Sequence, residues 1–474
     1  MKSTITWSVL SPWLLCGLLL SPVHAQTVRS LDRVLMTALE APPAETVSAE
    51  AALIDRSEQS LVSSATDATD PCEQCTDGEE AGHGDLWSRP FLTGDIGGLR
   101  SSLAEQGITF NGDVTQFYMG VAHGGIRQTF NYAGHGDYRF GFDFDKLINW
   151  RGLSLLVRAE HRFGEILASD AGVLSPADLH AATPTLRTND LILTNILFTQ
   201  VVNESLTVMF GKLDTLDVDR NPFASGRGKT QFLNTSLAIP TLAIPTVPLA
   251  TLGAGAVFTQ NGLPVASLMV LNASDTTTTS GFDELFADGV LLLGNVSVPI
   301  PIAGKMGIHT FSAVWSSKTF TSLGQDPRVI GGNIPIARTR GSWVAWWSGA
   351  QYLYQNPSDP MKGWGLFGRV GASDGNVNPV QFFANVGIGG ASPLRGREND
   401  RFGVGWFYNG FSGQLGPIAT TALGVGNSSQ GVELYYNYAV TPYLHLTPDL
   451  QVIEPGSNRG NTALVVGLRA EIDL

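Results

Sequence analysis

Arg158, Glu160 and Arg162 stand at i, i+2 and i+4. On a strand that spacing puts all three on one face, about 6.6–6.8 Å apart along it. Such a ladder performs no reaction. It offers charged donors and acceptors that replace water around a polar solute, and its planar guanidinium groups also stack on flat faces. Parity along their own segments gives Arg139, Asp143, Arg369, Arg401, Glu433 and Asp449 the same facing, and the long connection 213–251 adds Asp217, Asp219, Arg220, Arg227 and Lys229. Each of the strand residues is equally an ordinary ion pair between neighbouring strands, and the connection 213–251 is equally an exposed surface loop, so together they mark a polar lining, not a reaction centre.

Other chemistries lack parts. Acyl transfer needs a nucleophile, a base and an acid brought together. His161 and His445 are available as bases and read as plain lining residues, but no Gly-x-Ser-x-Gly accompanies them. No phosphate loop or metal cluster stands out, so no cofactor is expected. Cys72 and Cys75 form Cys-Glu-Gln-Cys, with Thr76 where a haem motif needs His and no second pair for zinc. A local disulfide is the expectation in an exported chain.

The elements that position the charged ladder are strands. Tyr138, Phe140, Phe142 and Phe144 alternate with Arg139, Gly141, Asp143 and Asp145. Leu464, Val466, Leu468, Ala470, Ile472 and Leu474 alternate with Ala463, Val465, Gly467, Arg469, Glu471 and Asp473. Period two with one oily face suits a strand between lipid and a wet lumen. Sixteen strands are predicted: 108–121, 138–145, 153–162, 190–200, 205–212, 252–260, 264–272, 289–298, 307–316, 342–354, 363–372, 380–388, 401–409, 430–439, 443–453 and 462–474. Connections after even strands are mostly short, Asn261-Gly262 being the tightest hairpin signal. Several after odd strands are long, notably 163–189, 213–251 and 317–341. An all-β transmembrane antiparallel barrel follows. Sixteen strands are too few for a plugged, energy-coupled transporter of about twenty-two. The uncharged run 237–258 is interrupted by Pro240, Pro245 and Pro248 and reads as loop running into strand, not as a membrane helix. Pro448, inside a predicted strand, cannot donate its ladder bond. Trp364, Trp406, Tyr436 and Tyr438 fit interfacial girdles on the lipid side.

Ahead of the barrel unit the chain divides into two. Lys2, the apolar stretch Ile5–Leu20 and Val23-His24-Ala25 before Gln26 read as a secretory signal over 1–25, which takes Cys16 with it. Residues 26–90 read as a short helical or disordered periplasmic extension. Removing the signal takes the formal net charge from −13 to −14, and Glu40–Asp85 carries twelve acids against Arg56 alone. The acidity therefore belongs to the extension, and the absence of a basic patch argues against nucleic acid. Asp95 to Gly107 predicts a short helix between a capping acid and a closing glycine, at the start of the barrel unit 91–474.

Ordered runs spread over Leu92 to Leu474 resemble the carbohydrate-selective porins of the OprB family. They are Leu-Thr-Gly-Asp-Ile-Gly-Gly-Leu-Arg with Leu-Ala-Glu-Gln-Gly-Ile, Gly211-Lys-Leu-Asp214, Phe232-Leu-Asn-Thr-Ser236 and Gly363-Trp-Gly-Leu-Phe-Gly-Arg369. Ser373-Asp-Gly-Asn376, Phe402-Gly-Val-Gly405, Gly431-Val-Glu-Leu-Tyr-Tyr-Asn-Tyr438 and Leu444-His-Leu-Thr-Pro-Asp-Leu-Gln451 complete the set. The resemblance implies a sixteen-stranded barrel in the outer membrane of a Gram-negative-type bacterium, with passive sugar diffusion through a narrowed, charged eyelet. It places Pro448 within a recurring run. Expected partners are membrane lipids, sugar solutes and the outer-membrane assembly machinery, with a homotrimer left open. A general or other-solute porin, or a structural envelope protein with a partner-binding extension, are the alternatives. The acidic extension lies outside the resemblance, and Leu474 departs from the aromatic, usually Phe, that typically closes such barrels.

Overall fold

The computed structural model describes residues 85–173, 175–332, 334–359 and 362–474. The signal, most of the extension and both Cys72 and Cys75 lie outside the described residues. Sixteen antiparallel strands close on themselves, β1 pairing with both β2 and β16. They are β1 (Ile108–Gly125), β2 (Phe130–Asp143), β3 (Leu153–Gly164), β4 (Ile192–Asn203), β5 (Leu206–Asp214), β6 (Ala250–Gln260), β7 (Leu263–Asn272) and β8 (Val290–Pro299). The second half is β9 (Gly307–Thr321), β10 (Arg338–Gln355), β11 (Gly363–Ser373), β12 (Val380–Ala391), β13 (Arg401–Phe411), β14 (Ser428–Thr441), β15 (Leu444–Glu454) and β16 (Asn461–Asp473). Closure leaves no sheet edge, which the hydrocarbon core of a membrane demands. No helix among the described residues is long and apolar enough to cross a membrane.

Alternation sets the facing throughout. On β14, Val432, Leu434 and Tyr438 are exposed on the outside while Glu433, Tyr435 and Asn437 are buried inside. Asn261 and Gly262 both take positive φ and join β6 to β7 in a two-residue hairpin. The rim carrying such short turns faces the periplasm, and the long loops project to the other side. Asp95 fastens the short helix Leu99–Glu105 through the amide and hydroxyl of Ser101. In 215–249 only single helical turns form, Thr235–Ala238 being one.

Three expectations change. β2 begins at Phe130, not 138, and ends at Asp143, whose carboxylate caps a helical turn at Phe144–Ile148. His161 points outward and stacks on Tyr138, with ring centroids 5.8 Å apart, so it does not line the lumen. Trp406 lies mid-strand on β13, whereas Trp364, Tyr436 and Tyr438 lie toward the periplasmic rim. Pro448 is exposed on the lipid side, and the β14–β15 pairing lapses between Leu446 and Asp449 without a change of register, where its missing donor falls.

Candidate functional site

Two of the long loops fold back into the lumen. Loop 215–249 carries apolar side chains that no exposed loop would keep: Phe223, Phe232, Leu233, Leu237 and Leu242 are buried. Phe232 packs edge-on against Phe367 and Tyr435, with centroids at 5.2 and 4.9 Å. The wall makes room with glycine. A Cβ at Gly403 would stand 2.7 Å from Phe232, and one at Gly405 2.7 Å from Leu237. The Phe402-Gly-Val-Gly405 run is therefore the imprint of the loop on β13.

Polar wall residues satisfy the loop's backbone, as buried amides and carbonyls require. Arg369 donates to the carbonyls of Leu237 (2.9 Å) and Ala224 (2.5 Å) and pairs with Asp219 (2.8 Å). Glu433 accepts from the amides of Leu233 (2.6 Å) and Asn234 (2.9 Å). Arg469 donates to the carbonyls of Gly228 and Gln231. Gln451 donates to Asp449 and to the carbonyl of Ala177 in the loop 165–191. That second loop sets the buried turn Leu179–Ala182 against the first through Leu179 N–H to the carbonyl of Leu233. Nδ1 of His135, on β2, donates to the carbonyls of His180 (3.0 Å) and Thr183 (2.9 Å).

Between the first loop and the wall from β16 through β4 remains a polar cavity of about 500 Å³. Its charges pair reciprocally across the gap. Arg158 of the wall grips Asp137 with two bonds (2.8 and 2.6 Å) and reaches Asp217 of the loop (2.9 Å). Arg227 of the loop reaches Glu160 (2.7 Å), Asp214 (2.8 Å) and Asp217 (3.0 Å). Lys229 pairs with Asp113 and, at 3.1 Å, with Asp137. Arg139 stands 3.6 Å from Asp113. Burial and the neighbouring Arg158 work against the charge of Arg227, yet Asp214, Glu160 and Asp217 hold its pKa raised. Burial works against ionised Asp217 too, and Arg227, Arg158 and Arg220 outweigh it to keep its pKa lowered. Both remain ionised.

The expected ladder is thus split. Arg158 and Glu160 join the network, while Arg162 turns away to the carbonyls of Ala181 (3.0 Å) and Gly164 (2.8 Å). Arg139, Arg227 and Lys229 line the cavity; Arg369, Glu433 and Asp449 lie under the loops; Asp143 and Arg401 stand at the periplasmic rim. Asp113, Asp137 and Asp214, with His135 and Thr194, which both bond Glu160, are members that sequence reasoning missed. Their parity within β1, β2, β4 and β5 was the available signal.

Over residues 127–474 the chain matches the family described as carbohydrate-selective porin, OprB family. Porin B of Pseudomonas aeruginosa is 23% identical over 428 residues, which cover 80% of this chain and 90% of the relative. The high-pH structure of Pseudomonas putida OprB superposes with a TM-score of 0.71 at 20% identity, over 83% of this chain and 100% of that one. Its low-pH structure gives 0.51 at 16%, over 82% and 99%. At these identities the two structures speak for the fold.

Proposed function

This chain belongs to the carbohydrate-selective porins of the OprB family, and we propose that the gap between loop 215–249 and β1–β4 is the eyelet through which sugars diffuse passively into the periplasm. It is an outer-membrane porin. One observation carries the eyelet reading: a polar cavity of about 500 Å³ is flanked by Arg139 and Arg158 on one wall and Asp217, Arg227 and Lys229 on the other. That volume lies within the roughly 300–1,000 Å³ of small-molecule sites.

Sugar hydroxyls donate to the carboxylates and accept from the guanidinium groups, replacing the water lost on entry. Paired charges leave little net field, so the contacts stay weak enough for release, as conduction requires. A smaller cavity of about 100 Å³ continues beneath Val218–Arg220 along Ser267, Thr310 and Ser312, extending the hydroxyl-rich path. Arg369, Glu433 and Asp449 act in this reading by holding the loops, and Arg139 by lining the route.

The test is sugar block of single-channel current. Arg158→Ala with Arg227→Ala should raise ion conductance and weaken glucose block about tenfold, the effect of losing one charged hydrogen bond. Unchanged block in a well-folded double variant excludes these residues from the eyelet. The reading extends to residues 1–25 as export signal and 26–90 as acidic periplasmic spacer, with assembly machinery inserting the barrel. Cys72 and Cys75 form a local disulfide, to be found oxidised by mass spectrometry of envelope preparations; stoichiometric zinc would overturn that.

A further inference from the structure

Asp473, Asp113, Asp137 and Glu160 stand in register across β16, β1, β2 and β3, each directly opposite the next. Like charges directly opposed destabilise a sheet, so such a row needs counter-charges. Three members have them: Glu160 from Arg158 and Arg227, Asp137 from Arg158 and Lys229, Asp113 from Lys229 and Arg139. The end of the row differs. Among the described residues neither Asp473 nor Glu471 makes an ion pair. Glu471 is 6% exposed with Oε2 unpartnered, Asp113 is 0% exposed with Oδ1 unpartnered, and both line the cavity together with Asp473.

Nearby basic side chains are bonded elsewhere. Arg469, on the same face as Glu471, gives its guanidinium to the Gly228 and Gln231 carbonyls and to Thr447. His445, directly opposite Glu471, engages Asn437. Lys229 and Arg139 already serve Asp113 and Asp137.

We infer that the Asp113–Glu471–Asp473 corner, at the periplasmic end of the cavity, binds organic ammonium groups, so that the pore prefers protonated amino sugars to neutral ones. The inference rests on the sugar-passing reading above. Glu471 and Asp473 lie about 6.6–6.8 Å apart along β16, with Asp113 about 4.5–5.5 Å across from Asp473. Among the described residues no three such groups converge closely enough to hold a metal ion. An ammonium, with three divergent donors, tolerates the looser spacing. The ring hydroxyls of the same molecule then face Arg139 and Arg158 across the cavity.

The full-length chain in planar bilayers at neutral pH and matched ionic strength tests this. Glucosamine should block current at roughly one-tenth the concentration needed for glucose, the gain from one charged contact. N-Acetylglucosamine, which has no ammonium, should behave like glucose. In Glu471→Gln with Asp473→Asn the glucosamine-to-glucose ratio should fall to about one. Equal block by the two sugars in the native pore, or a preference intact in the double variant, overturns the inference. If the variant fails to assemble, a pH series on the native protein decides. The preference must vanish once the ammonium loses its proton, and persistence overturns the proposal. Glucose block without a glucosamine preference removes this inference alone; block by no sugar removes the underlying reading as well.

Discussion

Replacing Arg369 with Met should release loop 215–249 while sparing the barrel. Met roughly conserves the side-chain bulk, so the change removes charge and donors without opening a large cavity. Arg369 is 1% exposed and makes three contacts to the loop: the carbonyls of Leu237 and Ala224, and the carboxylate of Asp219. Each hydrogen bond to a charged group contributes about 1.5–3 kcal/mol net, and stranding a buried partner costs about 3–5 kcal/mol. These overlap, because Asp219 and the two carbonyls share one guanidinium. A loss of about 4 kcal/mol in loop docking is the working figure, and it shifts the docked-to-undocked ratio by about a thousandfold. The strand ladder is untouched, so heat-modifiable migration on gels should be retained. Single-channel conductance should rise, glucose block should weaken, and protease should cut within 215–249. A folded variant with native conductance and an uncut loop would refute the fastening role.

Two further perturbations follow from facing and from burial. Leu434→Arg, at the middle of β14 on the lipid side, should cost about 2–4 kcal/mol of barrel stability, whereas Thr310→Arg on the lumen wall of β9 should fold and lower conductance; equal tolerance in a denaturation series rejects the facing. Asp178 caps the turn Leu179–Ala182, and burial raises its pKa to about 7, with Ala181 N–H and Arg469 opposing only in part. Its folded pKa lies above the ordinary carboxylate value, so docking of loop 165–191 is favoured at low pH and that gain is lost as pH rises through about 7. Amide exchange at 179–182, corrected for its intrinsic pH dependence, should speed between about pH 5 and pH 8, and Asp178→Asn should flatten the change; a native profile already flat contradicts it.

The barrel was legible because period-two alternation needs only neighbours in sequence. It faded where glycine replaces the outward side chain. Gly134 and Gly136 lie beneath the rings of Phe163 and His161, which supply the missing apolar surface from β3. Between Tyr132 and Tyr138 the outward face of β2 therefore carries no side chain of its own, and the predicted start falls eight residues late. Parity placed Arg139, Arg158, Glu160, Arg369 and Glu433 on the lumen side, where they lie. It could not say what each would meet. Arg369 and Glu433 serve backbone groups of a loop 132 to 200 residues away in sequence, and the path of that loop has no local period. Its imprint was nevertheless present as Gly403 and Gly405, two inward glycines opposite Phe232 and Leu237.

The central claim is passive passage of sugar through this barrel. Liposomes carrying the purified full-length protein and placed in isosmotic glucose test it most directly. Swelling should be fast, should slow as the sugar grows from monosaccharide to trisaccharide, and should accelerate for every size in Arg369→Met. Swelling no faster than in protein-free liposomes, from protein that migrates as a folded barrel, would contradict the account.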